Sequence, residues 1–190
     1  MSLKIRIFSY LPNPRVWKSL ITAKFADVNV EVIGDKPKNL SNWLWDYNAR
    51  ALSDDEKLDN PHVRKGKRGF SGDLYKTDEF LEAHPFGTVP AAFVGDDKVG
   101  VFESNSIMRS VARLGSSDAL YGKNDPCLSS RIDSFLDANL VFSREHQVYI
   151  LSIESLSEYT YNRMKLAYEF YLDGIESALS KSEYISGNYL

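Results

Sequence analysis

The strongest constraint on the fold lies between His84 and Ile107. Two short apolar runs there, Ala91 to Val94 and Val99 to Phe102, flank the polar, glycine-containing Gly95-Asp96-Asp97-Lys98. Such a pair reads as a β-hairpin. Val89-Pro90 stands just before the first strand, where proline is tolerated and a cis bond costs little. That geometry would turn the N–H and C=O of Val89 outward without a sheet partner. After the second strand, Glu103-Ser104 leads into apolar residues at 107, 108, 111, 112 and 114, a helical spacing. Ser104 is the expected N-cap, and N–H groups at a helix start attract a carboxylate. Glu103, beside it, is suited to an ammonium. Together these residues describe a place for a small zwitterionic peptide: main-chain pairing at Val89, a carboxylate at Ser104 and an amine at Glu103.

The same residues carry a resemblance. Pro85-Phe86-Gly87-Thr88-Val89-Pro90, followed by Phe102-Glu103-Ser104-Asn105-Ser106-Ile107, resembles the glutathione-binding half of the glutathione transferase superfamily, with both motifs in order across a hairpin. The variant Phe-Glu-Ser-Asn-x-Ile looks most like the transferase-like domain of the gamma subunit of translation elongation factor 1. The resemblance implies an α/β plus all-α chain: a thioredoxin-like βαβ-ββα domain followed by a helical bundle. It implies glutathione as co-substrate, bound at Val89, Pro90, Glu103 and Ser104, with its sulfur added to an electrophilic small molecule, and a homodimer. The alternative it carries is a non-catalytic module, similar to the gamma subunit, whose transferase fold docks partners.

Read in order, Ile5 to Tyr10 is a β-branched and aromatic strand that stops at Leu11-Pro12-Asn13-Pro14. From Pro14 to Ala26, Val16, Leu20 and Ala23 recur at helical spacing, with proline in the first turn. Val28 to Ile33 alternates as a second strand, so the start is a βαβ unit with a right-handed crossover. Residues 34 to 76 form an insertion relative to the resembled family. A structureless segment of that length is uncommon inside a compact domain, so Trp43, Trp45 and Phe70 are expected to pack it down, with local helix near Leu40 to Tyr47. Its basic stretch, His62 to Arg68, is expected to be a solvated loop. Thr77 to His84 reads as a short helix capped by Thr77 and ended before Pro85.

Past about residue 117 the pattern changes. Ile132, Phe135, Leu136, Asn139 and Leu140 share one helical face, and Ala167, Phe170, Tyr171, Gly174, Ile175, Ala178 and Leu179 mark a second helix from about Leu156 to Ser180. These predict two domains, residues 1–115 and 118–190. In the resembled family a Gly-x-x-Leu like Gly187 to Leu190 leads into a further buried helix, so the helical domain is expected to be incomplete.

Composition narrows the classes. Net charge is −3, which gives no global case for nucleic acid. No apolar run reaches the roughly 18 residues of a membrane span, and the first residues lack the apolar core of a signal peptide. The single cysteine, Cys127, excludes an internal disulfide. A cytoplasmic protein is expected. His62, His84 and His146 are scattered, so no metal site is expected.

The implied chemistry needs glutathione's thiol as thiolate. A thiol of pKa about 8.5 is only about 3% ionised at pH 7, and a drop of two units stabilises the anion by about 2.7 kcal/mol. One aimed donor plus a helix N-terminus reaches that range. Two donors stand by the turn after the first strand. Tyr10 resembles the tyrosine of the tyrosine-type classes, and Asn13 stands where the serine of the serine-type classes would align. An asparagine donates through its NH₂ and gives up no proton. No serine or cysteine lies between Leu11 and Val16, against serine-type transferase and cysteine-type reductase chemistry.

Overall fold

The computed structural model describes residues 5–67, 69–116, 120–122 and 125–187. The chain separates into two compact units, Met1–Ser117 and Asp118–Leu190.

The first unit is built on a four-stranded sheet. β1 (Ile5–Phe8) pairs in parallel with β2 (Val30–Ile33), and α1 (Pro14–Ala26) connects them. β7 (Ala91–Val94) runs antiparallel to β1 and to β8 (Val99–Phe102), giving the order β2-β1-β7-β8. α3 (Asp78–Ala83), capped by the Thr77 hydroxyl on Phe80 N–H at 3.0 Å, precedes the hairpin, and α4 (Ser104–Leu114) follows it. The βαβ-ββα expectation and the hairpin bounds agree with this. β2 begins two residues later than the Val28 read from alternation. The left-handed Asp27 (φ 54°) closes α1 by donating to Ala23 O, and Val28 N–H donates to the same oxygen, so both belong to the helix end.

The insertion folds into a sheet of its own. After a 3-10 turn at Pro37–Asn42 come β3 (Trp43–Trp45), β4 (Arg50–Ala51), α2 (Asp54–Lys57), β5 (Val63–Lys65) and β6 (Asp73–Lys76), in the order β4-β3-β6-β5. Two expectations are corrected here. The helix expected near Leu40 to Tyr47 is present only as the 3-10 helix that ends at Asn42; Trp43 to Trp45 is a strand, with Trp45 extended into the core and its indole N–H donated to Leu40 O at 3.0 Å. The basic stretch contributes strand β5, where Arg64 meets Asp78 at the start of α3 and Lys65 meets its cross-strand partner Asp73, each at 2.6 Å.

Packing by the tryptophans holds. Trp45 makes edge contacts with Phe8 (5.4 Å), Phe70 (5.4 Å) and Phe80 (5.9 Å) in a cluster that also buries Leu40, Leu74 and Phe93. Alternation explains which side of β1 the insertion covers. Phe8 joins the cluster, and Arg6 on the same side donates to Tyr47 O at 3.1 Å and Asn48 Oδ1 at 2.8 Å. Ile5 and Ile7, fully buried, serve the opposite face, and α1 and α4 pack against one another. Gly115 ends α4 where any Cβ would lie 2.4 Å from the Ala26 Cβ, so only glycine fits.

The second unit is a helical hairpin of α5 (Pro126–Leu151), capped by Asp125, and α6 (Glu158–Leu179), capped by Ser157. Phe142 stacks on Tyr171 with centroids 4.7 Å apart and planes at 7°. Asn139, the polar exception on the apolar face of α5, donates to the Tyr171 hydroxyl at 3.2 Å. No helix among the described residues is long and apolar enough to cross a membrane.

Candidate functional site

Register gathers the sequence-selected residues at one end of the first sheet. Phe8 pairs with Ala91, and Ala91 pairs with Phe102. Antiparallel continuation puts Tyr10 beside Val89, two residues past the ladder end, and Glu103 and Ser104 leave β8 at that same end. Asn13 lies three residues further along the turn.

The Val89-Pro90 bond is cis, as expected. Val89 is half-buried, and neither its N–H nor its C=O makes a hydrogen bond among the described residues. Buried or half-buried main chain without a partner is rare, so this edge is available to an extended peptide.

At the start of α4 the structure moves one expectation by a residue. Ile107 N–H donates to Glu103 O at 3.0 Å, so Glu103 occupies the cap position and Ser104 is the first helical residue. Glu103 adopts φ 63°, makes no side-chain cap bond and is exposed. The first N–H groups of α4 thus lack an intrahelical acceptor. The Ser104 side chain is buried and makes no hydrogen bond among the described residues. A carboxylate at this place would meet N–H donors, a hydroxyl and the positive end of the helix dipole, with the Glu103 carboxylate beside it for an ammonium.

The two candidate donors to sulfur differ. Asn13 is fully buried; its Nδ2 donates to Ser9 Oγ and its Oδ1 accepts the Arg15 N–H, both at 2.9 Å. It caps α1. Tyr10 is half-buried, packs against the Phe8-Trp45 cluster, and its hydroxyl makes no hydrogen bond among the described residues.

Sequence reasoning missed Lys76. It is 8% exposed, donates to Gly87 O at 2.7 Å, and lies 4.7 Å from the Trp45 ring centroid. Burial and the nearby Lys67 charge lower its pKa, and no carboxylate pairs with it among the described residues. A buried cation two residues from the open edge at Val89 attracts an anion. Alternation in β6 held the signal: Lys76 shares a face with Leu74, which is fully in the core. Gly87 adopts φ +55° and allows this approach, since a Cβ there would lie 3.1 Å from Lys76 Nζ.

Beneath the site His84 is 1% exposed, ringed by Phe93 (4.8 Å) and Phe80 (5.1 Å), and both ring nitrogens lack a partner among the described residues. Burial lowers its pKa to about 4. No cluster of His, Cys, Asp and Glu suited to a metal ion occurs among the described residues.

A thioredoxin-like sheet with an open edge before a cis proline, followed by a helical unit, is the glutathione transferase architecture, and solved structures agree. The chain is similar to a glutathione transferase of Bombyx mori at 18% identity and TM-score 0.62, covering 98% of this chain and 71% of the other. It is similar to a delta-class glutathione transferase of Nilaparvata lugens at 18% identity and TM-score 0.61, covering 97% and 70%. A third match, at 16% identity and TM-score 0.55 with 98% and 76% covered, is a glutathione S-transferase bound with lactoylglutathione. No protein-family model matches the sequence, and no curated protein does. The fold is therefore that of the glutathione transferases.

Proposed function

We propose that the first unit binds reduced glutathione and that the protein conjugates its thiolate to electrophilic small molecules. One observation carries the reading: the unpaired main chain of Val89 and the open start of α4 at Ser104 flank the same end of the β7–β8 ladder. In this reading the cysteinyl main chain pairs with Val89 beside Pro90. The γ-glutamyl carboxylate meets Ser104 and the N–H groups at the start of α4, and its ammonium meets Glu103. The glycine carboxylate runs the other way, toward the unpaired charge of Lys76 beside Gly87.

Tyr10 serves as donor to sulfur, since its hydroxyl is uncommitted, while Asn13 supports the turn that presents it. A phenol hydrogen bond to sulfur stabilises the anion, and exclusion of water strengthens that bond. The protein works in the cytoplasm as a homodimer.

A second reading is favoured by Asn13. With its amide engaged inside the protein, a serine-like role at sulfur is blocked, which suits a non-catalytic docking module similar to the elongation factor 1 gamma transferase-like domain. Titration with glutathione followed by a conjugation assay on a chlorodinitrobenzene-type electrophile separates the two. Binding with turnover supports the enzyme. Absence of any thermal shift at millimolar glutathione overturns it and leaves the docking module.

A further inference from the structure

Where α1 packs along α4, Lys18 reaches across the seam and donates its ammonium to Asn105 Oδ1. Asn105 is 3% exposed and is the second residue of α4, which places it at the helix start. No carboxylate bonds Lys18 among the described residues. Among the described residues the charged groups that act on it are the guanidiniums of Arg15 on α1 and Arg109 on α4 and the carboxylate of Glu103 at the β8–α4 junction. Burial first, then Arg15 and Arg109, lower the Lys18 pKa to about 8, with Glu103 opposing.

We propose that Lys18, acting through Asn105, sets the charge at the carboxylate end of the ligand site and makes glutathione affinity fall as this lysine loses its proton. The inference rests on the glutathione reading above. An ammonium pressed by two guanidiniums toward the neutral form is stabilised by an anion arriving at the adjacent helix start. By linkage the anion binds better while Lys18 is charged. A guanidinium does not lose its proton in proteins, so Lys18 is the cation whose charge can change here. Asn105 fixes the ammonium beside the N–H donors and adds no charge of its own. Lys18 is thus a positioning residue, distinct from the groups that touch the ligand.

The test is binding of S-methylglutathione, which has no thiol to titrate, measured by calorimetry from about pH 7 to about pH 9. Lys18→Met keeps the aliphatic stem, and Lys18→Arg keeps a charge that does not titrate. Wild type is expected to lose roughly fivefold in affinity across that range beyond any loss shown by Lys18→Arg. Lys18→Met is expected to bind roughly fivefold more weakly at pH 7 and to lack the extra pH-dependent component. Lys18→Arg restores wild-type affinity at pH 7. If Lys18→Met keeps the wild-type affinity and pH profile, the inference falls while glutathione binding stands. If wild type binds no S-methylglutathione at any pH, the glutathione reading falls and takes the inference with it.

Discussion

Asn13 donates its side-chain amide to the Ser9 hydroxyl and accepts the Arg15 N–H on its oxygen, both at 2.9 Å, so the turn after β1 is tied at once to the strand behind it and the helix ahead. Both residues are fully buried. The residue that aligns with a sulfur donor is therefore a structural knot here. Asn13→Ala is expected to cost about 1 to 2 kcal/mol in denaturant unfolding, the range for a lost N-cap. Asn13→Asp keeps the cap oxygen and should cost less. At a temperature where Asn13→Ala stays folded, its affinity for glutathione should match wild type. A tenfold loss of affinity without loss of stability would return Asn13 to the sulfur.

Tyr10→Phe tests the other donor. The variant keeps the ring against the Phe8-Trp45 cluster and removes only a hydroxyl that makes no bond within the described residues, so stability should change little. Conjugation at neutral pH should fall about tenfold to a hundredfold while the dissociation constant for glutathione stays within about twofold, because the lost interaction is with the anion. The ultraviolet absorbance of bound thiolate should drop in parallel. Unchanged turnover in this variant would remove Tyr10 from the chemistry.

Much of the first unit was legible in the sequence because its signals are local. Proline at the start of α1, a threonine before α3 and a polar four-residue turn each act over a few residues, and each lies where the chemistry of caps and turns requires. Lys76 and the second sheet were hidden for one shared reason. β3 and β6 are parallel neighbours separated by some thirty residues of sequence, so the pairing that joins them carries none of the local pattern that marks an antiparallel hairpin. Without that pairing Trp45 reads as one more apolar residue, and Lys76 as an ordinary polar end of a strand. Ser104 shows the opposite limit. The sequence names the helix start, and a shift of one residue depends on the positive φ of Glu103, which no side chain other than glycine advertises.

The shared core makes the insertion part of the domain. Trp45 is 1% exposed and touches Phe8 on the central strand as well as Phe80 on α3. Trp45→Ala is expected to lower unfolding free energy by about 3 to 5 kcal/mol, the range for emptying a large aromatic site. The loss should extend to β1 and β7 in hydrogen exchange, because Phe8 loses its neighbour and Phe93 belongs to the same cluster through Phe80. If exchange quickened in residues 43–76 alone, the second sheet would be an independent appendage.

His84 gives the first unit a pH dependence of definite sign. Its ring is enclosed by Phe80, Phe93 and Phe102, both nitrogens lack partners among the described residues, and burial lowers its pKa from 6.5 to about 4. The unfolded chain therefore binds a proton that the folded chain refuses between those values. Stability is fully present above about pH 6.5 and is lost as pH falls toward about 4, by about 3 kcal/mol in all. The carboxylates whose pKa values fall on folding act in a lower window: Glu56, held to about 2 chiefly by Arg50, weakens only below its ordinary 4.5, and it is exposed. Between about pH 6.5 and about pH 4.5 His84 should thus dominate the slope. Denaturant midpoints for wild type are expected to drop across that interval, and His84→Leu, of similar volume and without nitrogen atoms to desolvate, should flatten the curve while retaining the stability at pH 7 within about 1.5 kcal/mol. A wild-type curve already flat over this interval, or an unchanged slope in the leucine variant, would mean that the folded protein supplies the protonated imidazole with a hydrogen-bond acceptor.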